Sequence, residues 1–352
     1  MKLVLSGYYG FDNVGDEAIL YAILSALREA NPDVEPIVLS NQPEKTARTY
    51  RVEAVNRWKL KDVARAIRQS DGVISGGGSL LQDVTGMRSV VYYSAIIWLA
   101  KLFRKPLFIY AQGIGPLQKK TSEHIVRLTL ARSDYVSVRD EESKKLLLRL
   151  GLRRPIDVVP DPVLGIDVTE AERQPRLIDE PFVSVSVRDW PTDQNYKRKL
   201  AACLDEIVRH GYGVVFVPMH GKEDEAASAD TVAYMKEKAT IAPFDGSIMQ
   251  KIAWIAQSEL LVGMRLHALI FAAVSETPFI ALSYDPKIDA FANMCKQPLF
   301  AHVNDDWNEN VLAERMKERL SKREEAIASM RTYTEQAKKE ARRTARVIVN
   351  KV

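Results

Sequence analysis

The chain has few cysteines and histidines and no long apolar run. Its 352 residues include two cysteines, Cys203 and Cys295, and five histidines. Two cysteines so far apart do not form a disulfide framework or a zinc pattern, and they are typical of a reducing compartment. The most apolar stretch, residues 90–102, is well short of the roughly 20 residues that cross a bilayer. No apolar signal segment precedes the first β-type run. We therefore expect a cytoplasmic protein, associated with the inner face of the membrane at most peripherally.

Charge of neither sign dominates, because the formal net charge is only +4. This balance does not favour a nucleic-acid partner. Basic residues are concentrated near the C-terminus, where residues 313–352 hold twelve Lys or Arg and six Glu. A basic helix of this kind can contact an anionic membrane, or it can simply be a solvated face. Both interpretations remain open at this stage.

The order of the apolar segments predicts an α/β protein with two domains. Short apolar runs without alternation are followed by helical patterns, which is typical of parallel strands covered by helices on both faces. We expect an N-terminal Rossmann-like domain at 1–168, a linker at 169–181, a second Rossmann-like domain at 182–310 and a basic helical segment at 311–352. Two doubly wound domains facing a central cleft would place the active site there, beyond the carboxyl ends of the strands.

The first candidate site is the segment GYYGFDNVGDE at residues 7–17, between the first strand and the first helix. Its glycines allow close backbone approach, and free amides at a helix start can hold an anion. The dinucleotide spacing GxGxxG is absent, and Asp16 and Glu17 stand where a nucleotide-binding P-loop needs Lys and Ser or Thr. Asn13, Asp16 and Glu17 are therefore candidate site residues. The alternative is that they only turn the chain and cap the helix.

Two further features mark the same ends of neighbouring strands. Gly77 and Gly78 belong to a triple glycine that directly follows an apolar strand. They can present backbone amides to a ligand or serve tight packing. Arg139 and Arg188 each close a strand, where a guanidinium fork can bind a carboxylate or a phosphate. A salt bridge to a neighbouring Asp is the other interpretation for both arginines.

The strongest signal is the segment GMRLHAL at residues 263–269. Arg265 and His267 surround the start of an apolar helix, so a guanidinium, an imidazole and free amides can converge on one anion. Lys287 follows the next strand and adds an ammonium group. His220, at the end of another strand, stays an open question.

Together these segments resemble the bacterial polysaccharide pyruvyl transferases. The segments are GYYGFDNVGDEA, GGGSLLQD, AQGIGP, SVRDEES, PDPVL and GMRLHALIFA. The likeness is greatest to the CsaB-type enzymes, which pyruvylate the secondary cell-wall polymer that anchors S-layer proteins. The resemblance implies a glycosyltransferase-B-like architecture, with the acceptor on the N-terminal domain. It also implies transfer from phosphoenolpyruvate, as a 4,6-ketal, to N-acetylmannosamine in a lipid-diphosphate-linked disaccharide.

The resemblance also assigns residues. The donor-binding triplet of the family falls on Arg265, Leu266 and His267, an upstream arginine on Arg139 and a downstream lysine on Lys287. Phosphoenolpyruvate is a small polyanion, so we expect no cofactor and no metal. His267 can bind phosphate or act as the acid.

Asp16 or Glu17 can act as the base. Two rival hypotheses remain: a glycosyltransferase that uses a nucleotide sugar, and a non-catalytic polysaccharide-binding protein.

Overall fold

A computed structural model describes residues 1–84 and 86–352. The chain forms two compact units. Unit 1 comprises Met1–Ile166 and Ala337–Val352, and unit 2 comprises Asp167–Gln336. Each unit is a parallel β-sheet with helices, which confirms the predicted class of two Rossmann-like α/β domains.

Unit 1 is built on seven parallel strands in the order β3-β2-β1-β4-β5-β6-β7. The strands are β1 (Lys2–Tyr9), β2 (Glu35–Ser40), β3 (Glu53–Asn56), β4 (Gly72–Gly76), β5 (Leu107–Gln112), β6 (Tyr135–Val138) and β7 (Asp157–Val158). The helices are α1 (Val14–Ala30), α2 (Pro43–Tyr50), α3 (Leu60–Gln69), α4 (Arg88–Leu102), α5 (Lys120–Leu130) and α6 (Glu141–Arg149), followed by a 3-10 turn at Pro162–Gly165. Strands β4 and β5 are buried along their whole length, as their continuous apolar runs predict.

Unit 2 has six parallel strands in the order β10-β9-β8-β11-β12-β13. These are β8 (Phe182–Ser186), β9 (Gly213–Phe216), β10 (Thr240–Ile241), β11 (Leu260–Gly263), β12 (Phe279–Ser283) and β13 (Leu299–His302). Its helices are α7 (Thr169–Glu172), α8 (Tyr196–Arg209), α9 (Gly221–Tyr234), α10 (Ile248–Ala256), α11 (Leu266–Val274), α12 (Pro286–Met294), α13 (Glu309–Ser321) and the start of α14 (Arg323–Val349).

The structure divides the chain differently from the predicted boundaries. The segment predicted as a linker, 169–181, lies in unit 2, and its helix α7 contacts α10. The C-terminal segment predicted as a separate piece is split, because its last residues belong to unit 1. There Ala337, Ala341 and Ala345 are buried, and the backbone carbonyl of Ala341 accepts a hydrogen bond from Tyr110 at 3.4 Å. Charged residues dominate the sequence of this segment, so its pattern does not reveal the apolar face that these small residues form.

In the described part of the chain, no helix combines the length and the apolar composition that a membrane span needs.

Candidate active site

The loop between β1 and α1 lies at the carboxyl edge of unit 1, which we define as the side where its parallel strands end. Asn13 caps α1, and its side-chain oxygen accepts a hydrogen bond from the amide of Gly15 at 3.0 Å. Gly10 adopts a φ of 79°, in the left-handed region that favours glycine. The capping role considered for this loop is therefore present, and Asn13 fulfils it.

Glu17 holds this loop in place. One carboxylate oxygen accepts the amide of Gly10 at 2.7 Å, and the other accepts the hydroxyl of Tyr50 at 2.5 Å. Burial raises the pKa of Glu17, and both hydrogen bonds oppose that rise. Glu17 therefore ties the loop at Gly10 to Tyr50 of α2.

Asp16 has a different environment from its neighbour. Burial raises the pKa of Asp16 to about 7, against a hydrogen bond from the backbone of Gly78 and the positive charge of Arg139. A Cβ atom added at Gly78 would lie 3.4 Å from the Asp16 carboxylate. Two separate loops, after β1 and after β4, therefore meet at this carboxylate. A carboxyl group with such a pKa can exchange a proton near neutral pH.

Arg139 follows β6 at the same edge. Its guanidinium forms an ion pair with Asp161 at 3.1 Å, and both side chains are largely buried. A Cβ added at Gly113 would lie 2.7 Å from the Ser79 hydroxyl and 3.1 Å from the Arg139 guanidinium. The structure thus brings Asp16, Gly78 and Arg139 together within unit 1. Gly77, with a φ of 142°, shapes the turn that delivers Gly78.

The carboxyl edge of unit 2, defined in the same way, carries the remaining predicted residues. In the sheet register, Ser186 of β8, Gly263 of β11 and Ala281 of β12 lie level with one another. Arg188 lies two residues after Ser186, and Arg265 lies two residues after Gly263. The two arginines therefore follow neighbouring strands at the same level of the sheet. Both arginines are partly buried.

Arg265 is held by a carboxylate that the sequence did not reveal. Its Nε donates to Oδ2 of Asp224 at 2.9 Å, and its Nη2 donates to Oδ1 of the same residue. Asp224 lies in α9, is 1% exposed, and also accepts the amide of Met219 at 3.1 Å. Although burial alone would lower the pKa of the Arg265 guanidinium, its bonds to Asp224 raise it on balance. This two-point contact fixes the plane of the guanidinium.

Tyr284 connects the two arginines. Arg188 donates to the Tyr284 hydroxyl at 3.0 Å, and Tyr284, after Asp224, helps to raise the pKa of the Arg265 guanidinium. The Arg188 guanidinium packs over the rings of Tyr284 and Trp190, at 4.7 and 5.4 Å from their centroids. Among the described residues Arg188 makes no ion pair with a carboxylate, so its charge is available to an anion.

The remaining predicted residues of unit 2 lie at helix starts. Leu266 and His267 are the first two residues of α11, and both are partly buried. Lys287 is the second residue of α12, whose N-cap Asp285 accepts the Lys287 amide at 2.9 Å. His220 precedes α9, and its Nδ1 lies 3.2 Å from Glu223. The structure therefore separates the predicted set between the units: Asn13, Asp16, Glu17, Gly77, Gly78 and Arg139 in unit 1, and Arg265, Leu266, His267 and Lys287 in unit 2.

Sequence reasoning missed Asp224, Tyr284 and also Lys251. Lys251 is 1% exposed and donates to the carbonyls of Pro218 and Phe244 at 2.7 and 2.9 Å. Burial lowers its pKa to about 8. Its place inside an apolar helix was a signal that could have identified it. Over the described ranges 1–84 and 86–352, no cluster of three His, Cys, Asp or Glu side chains could hold a metal ion.

Comparison with solved structures shows the fold to be glycosyltransferase-B-like. UDP-GlcNAc 2-epimerase from Neisseria meningitidis, bound to UDP-GlcNAc, aligns over 99% of both chains with a TM-score of 0.63 and 11% identity. ADP-heptose LPS heptosyltransferase II from E. coli aligns over 92% of this chain and 100% of its own, with a TM-score of 0.55 and 14% identity.

Sequence comparison is more specific. The amylovoran biosynthesis protein AmsJ of Erwinia amylovora is 21% identical, over 82% of this chain and 84% of that protein. The family model described as polysaccharide pyruvyl transferase matches residues 13–286, a range that includes Asp16, Arg139 and Arg265. Because this match covers most of the chain, the protein belongs to the polysaccharide pyruvyl transferase family.

Proposed function

We propose that the protein transfers pyruvate from phosphoenolpyruvate to two hydroxyl groups of a sugar, forming a cyclic ketal and releasing phosphate. We further propose that the acceptor is N-acetylmannosamine in a lipid-diphosphate-linked precursor of a cell-wall polymer. Family membership supports the pyruvyl transfer. The relative AmsJ is named for amylovoran biosynthesis, which is consistent with a saccharide acceptor.

The observation that carries the proposal is the cationic edge of unit 2. Arg188 has no carboxylate partner among the described residues, and Arg265 is fixed in one orientation by Asp224. The starts of α11 and α12 add backbone amides, an imidazole and an ammonium group. Phosphoenolpyruvate carries a carboxylate and a phosphate and no nucleoside. A guanidinium fork and a helix start are the groups that proteins use for such anions.

The chemistry requires one proton to enter and two to leave. A first sugar hydroxyl loses its proton and adds to C2 of phosphoenolpyruvate, while a proton reaches the methylene carbon of the donor, which becomes the methyl group. Phosphate then leaves C2 with the C–O electron pair, and the second hydroxyl adds and loses its proton. Arg188 and Arg265 stabilise the departing phosphate. His267 binds that phosphate or protonates the methylene carbon.

Asp16 is the group that we propose for proton transfer at the acceptor hydroxyls. Its pKa of about 7 leaves both protonation states populated at neutral pH. Arg139 lies beside it as a fixed positive charge, paired with Asp161. Glu17 is assigned the positioning of the loop, because both of its oxygens already accept hydrogen bonds.

Phosphate release tests the proposal directly. The wild type should release phosphate from phosphoenolpyruvate only when the saccharide acceptor is present. Arg188→Ala and Arg265→Ala should each lower kcat/KM for phosphoenolpyruvate by about 30-fold or more, as expected when a charged donor to a desolvated anion is removed. The matched control is Arg198→Ala, an exposed arginine in α8 of the same unit. Turnover of UDP-sugars without any use of phosphoenolpyruvate would instead establish the nucleotide-sugar glycosyltransferase, and saccharide binding without turnover the non-catalytic protein.

A further inference from the structure

Unit 1 carries a group of aromatic side chains near the ends of β1 and β3 that the proposed chemistry has not used. Tyr8 and Phe11 stack with their ring centroids 4.0 Å apart and their planes within 5°. Trp58 and Tyr92 form a second pair, with centroids 5.5 Å apart. Tyr8 is 39% exposed and Trp58 is 58% exposed. Single exposed aromatic residues are common, but a group of them marks a binding surface.

A buried arginine joins these two pairs. Arg57 is 3% exposed, and its guanidinium lies 4.3 Å from the Tyr92 ring and 5.2 Å from the rings of Phe11 and Trp58. Its Nη1 donates to the Gly7 carbonyl at 2.8 Å, and its Nη2 donates to the Tyr93 hydroxyl at 3.2 Å. Both acceptors are neutral, and its Nε–H has no acceptor among the described residues. The aromatic faces around the cation therefore supply much of its stabilisation, and the contacts with the cation hold the rings in one arrangement.

Trp58 is exposed, yet its orientation is fixed. Its indole Nε1 donates to Oδ1 of Asn41 at 2.9 Å, and its backbone amide donates to Oδ1 of Asn56 at 2.9 Å. The Tyr92 hydroxyl donates to the carbonyl of Arg57 at 3.1 Å. A flat, ordered and solvent-facing ring loses little freedom when a ligand stacks on it, so it suits the apolar C–H face of a sugar ring.

The aromatic group is also connected to Asp16. Arg57 bonds the carbonyl of Gly7, and a Cβ added at Gly7 would lie 2.4 Å from the carbonyl of Gly76. Two residues further on, a Cβ added at Gly78 would lie 3.4 Å from the Asp16 carboxylate. Arg57 contacts the Tyr93 hydroxyl, whose pKa is raised mainly by burial and to a smaller extent by the negative charge of Asp16. The rings and the proton-transfer group therefore belong to one continuous edge of unit 1.

We propose that Trp58, with Tyr8, Phe11 and Tyr92 around the buried Arg57, is the stacking platform for a pyranose ring of the acceptor saccharide. This inference rests on the proposed function only in naming the saccharide as the acceptor. The platform orients the ring through its apolar face, and the hydroxyl groups remain open to Asp16. Arg57 is a positioning residue that acts through the rings.

Steady-state kinetics of Trp58→Ala test the platform, with phosphoenolpyruvate and a short-chain lipid-diphosphate disaccharide varied in turn. The KM for the disaccharide should rise about fivefold or more, since an aromatic contact contributes about 1 kcal/mol. The KM for phosphoenolpyruvate should stay within about twofold. Trp58→Phe should restore part of the acceptor affinity. The matched control is Trp98→Ala, which removes another exposed indole of unit 1 whose Nε1 is also hydrogen-bonded, to Thr129.

An unchanged acceptor KM in Trp58→Ala, or an equal rise in Trp98→Ala, overturns the platform. Calorimetric titration of the disaccharide alone separates this proposal from the proposed function. If the wild type releases no phosphate but binds the disaccharide, and Trp58→Ala loses that binding, the platform stands and the pyruvyl transfer fails. If the wild type turns over and Trp58→Ala binds the disaccharide normally, the pyruvyl transfer stands and the platform fails. If the wild type neither turns over nor binds the disaccharide, both fail.

Discussion

The contact between Asp224 and Arg265 supports a strong prediction, because Asp224 accepts two hydrogen bonds from the Arg265 guanidinium. The substitution Asp224→Asn keeps the shape of the side chain and the acceptor for the Met219 amide, but it removes the charge opposite Arg265. Breaking a buried ion pair typically costs about 3–5 kcal/mol. Arg265 retains 17% side-chain exposure, and asparagine keeps one acceptor, so we expect a loss in the free energy of unfolding of about 2–3 kcal/mol.

The same substitution should disturb the donor site. A guanidinium that is no longer fixed in plane binds a carboxylate or a phosphate less well, and a small misplacement can cost about 100-fold. We expect kcat/KM for phosphoenolpyruvate to fall by about tenfold to 100-fold. Urea unfolding and phosphate release measure the two effects on the same protein preparation.

Two comparisons make this test strict. Asp230→Asn is the matched control, because Asp230 lies in the same helix and pairs with Lys197 at the surface. It should change stability by less than about 0.5 kcal/mol. A double-mutant cycle with Arg265→Met should give a coupling energy of about 2 kcal/mol. A coupling near zero, or kinetics of Asp224→Asn equal to those of Asp230→Asn, would refute the reasoning.

Three further predictions concern unit 1. Burial raises the pKa of Asp16 to about 7, above the roughly 3.9 of an unfolded chain, so the folded protein loses stability as the pH rises through this range. The free energy of unfolding of Asp16→Asn should therefore equal that of the wild type below about pH 4 and exceed it by about 2–4 kcal/mol above pH 7. If the urea midpoints of the two proteins differ by the same amount at every pH, the assignment is contradicted. Gly113→Ala places a methyl group 2.7 Å from the Ser79 hydroxyl and should cost about 1–3 kcal/mol and much of the turnover; unaltered turnover would show that this loop is not part of the site. Sedimentation with anionic vesicles should show about tenfold weaker binding or more after neutralisation of three exposed basic residues of α14, with no change after neutralisation of three exposed basic residues of α3; equal effects would favour the solvated-face interpretation. The α14 set is Lys338, Lys339 and Arg343, and the control set is Lys61, Arg65 and Arg68.

The sequence predicts the sheets well because their strands are buried on both faces. The apolar run that becomes β4 has no alternation, and the structure buries every one of its residues. Strand β3 was not predicted, because Glu53–Asn56 has only four residues and two of them are polar. Helix α9 begins at Gly221, and its first turn is rich in charge and lacks the apolar periodicity that predicts a helix.

The candidate site was predictable where its chemistry is local. Arg265 and His267 stand beside each other at a helix start, so the sequence alone reveals their proximity. The partner of Arg265 is Asp224, 41 residues away, and no periodic pattern connects two such positions. Arg57 was not recognised for a similar reason. It becomes a buried cation only when rings from the loop after β1 and from α4 surround it.

Transfer of the labelled donor tests the central claim most directly. Phosphoenolpyruvate carrying ¹³C at C2 is incubated with the wild type and the lipid-diphosphate disaccharide, and the products are examined by ¹³C and ³¹P NMR. Our account predicts that the label appears as a ketal carbon bonded to two sugar oxygens, with one inorganic phosphate released per ketal formed. Label that remains in phosphoenolpyruvate or appears only as free pyruvate, while the saccharide is left unmodified, would contradict it.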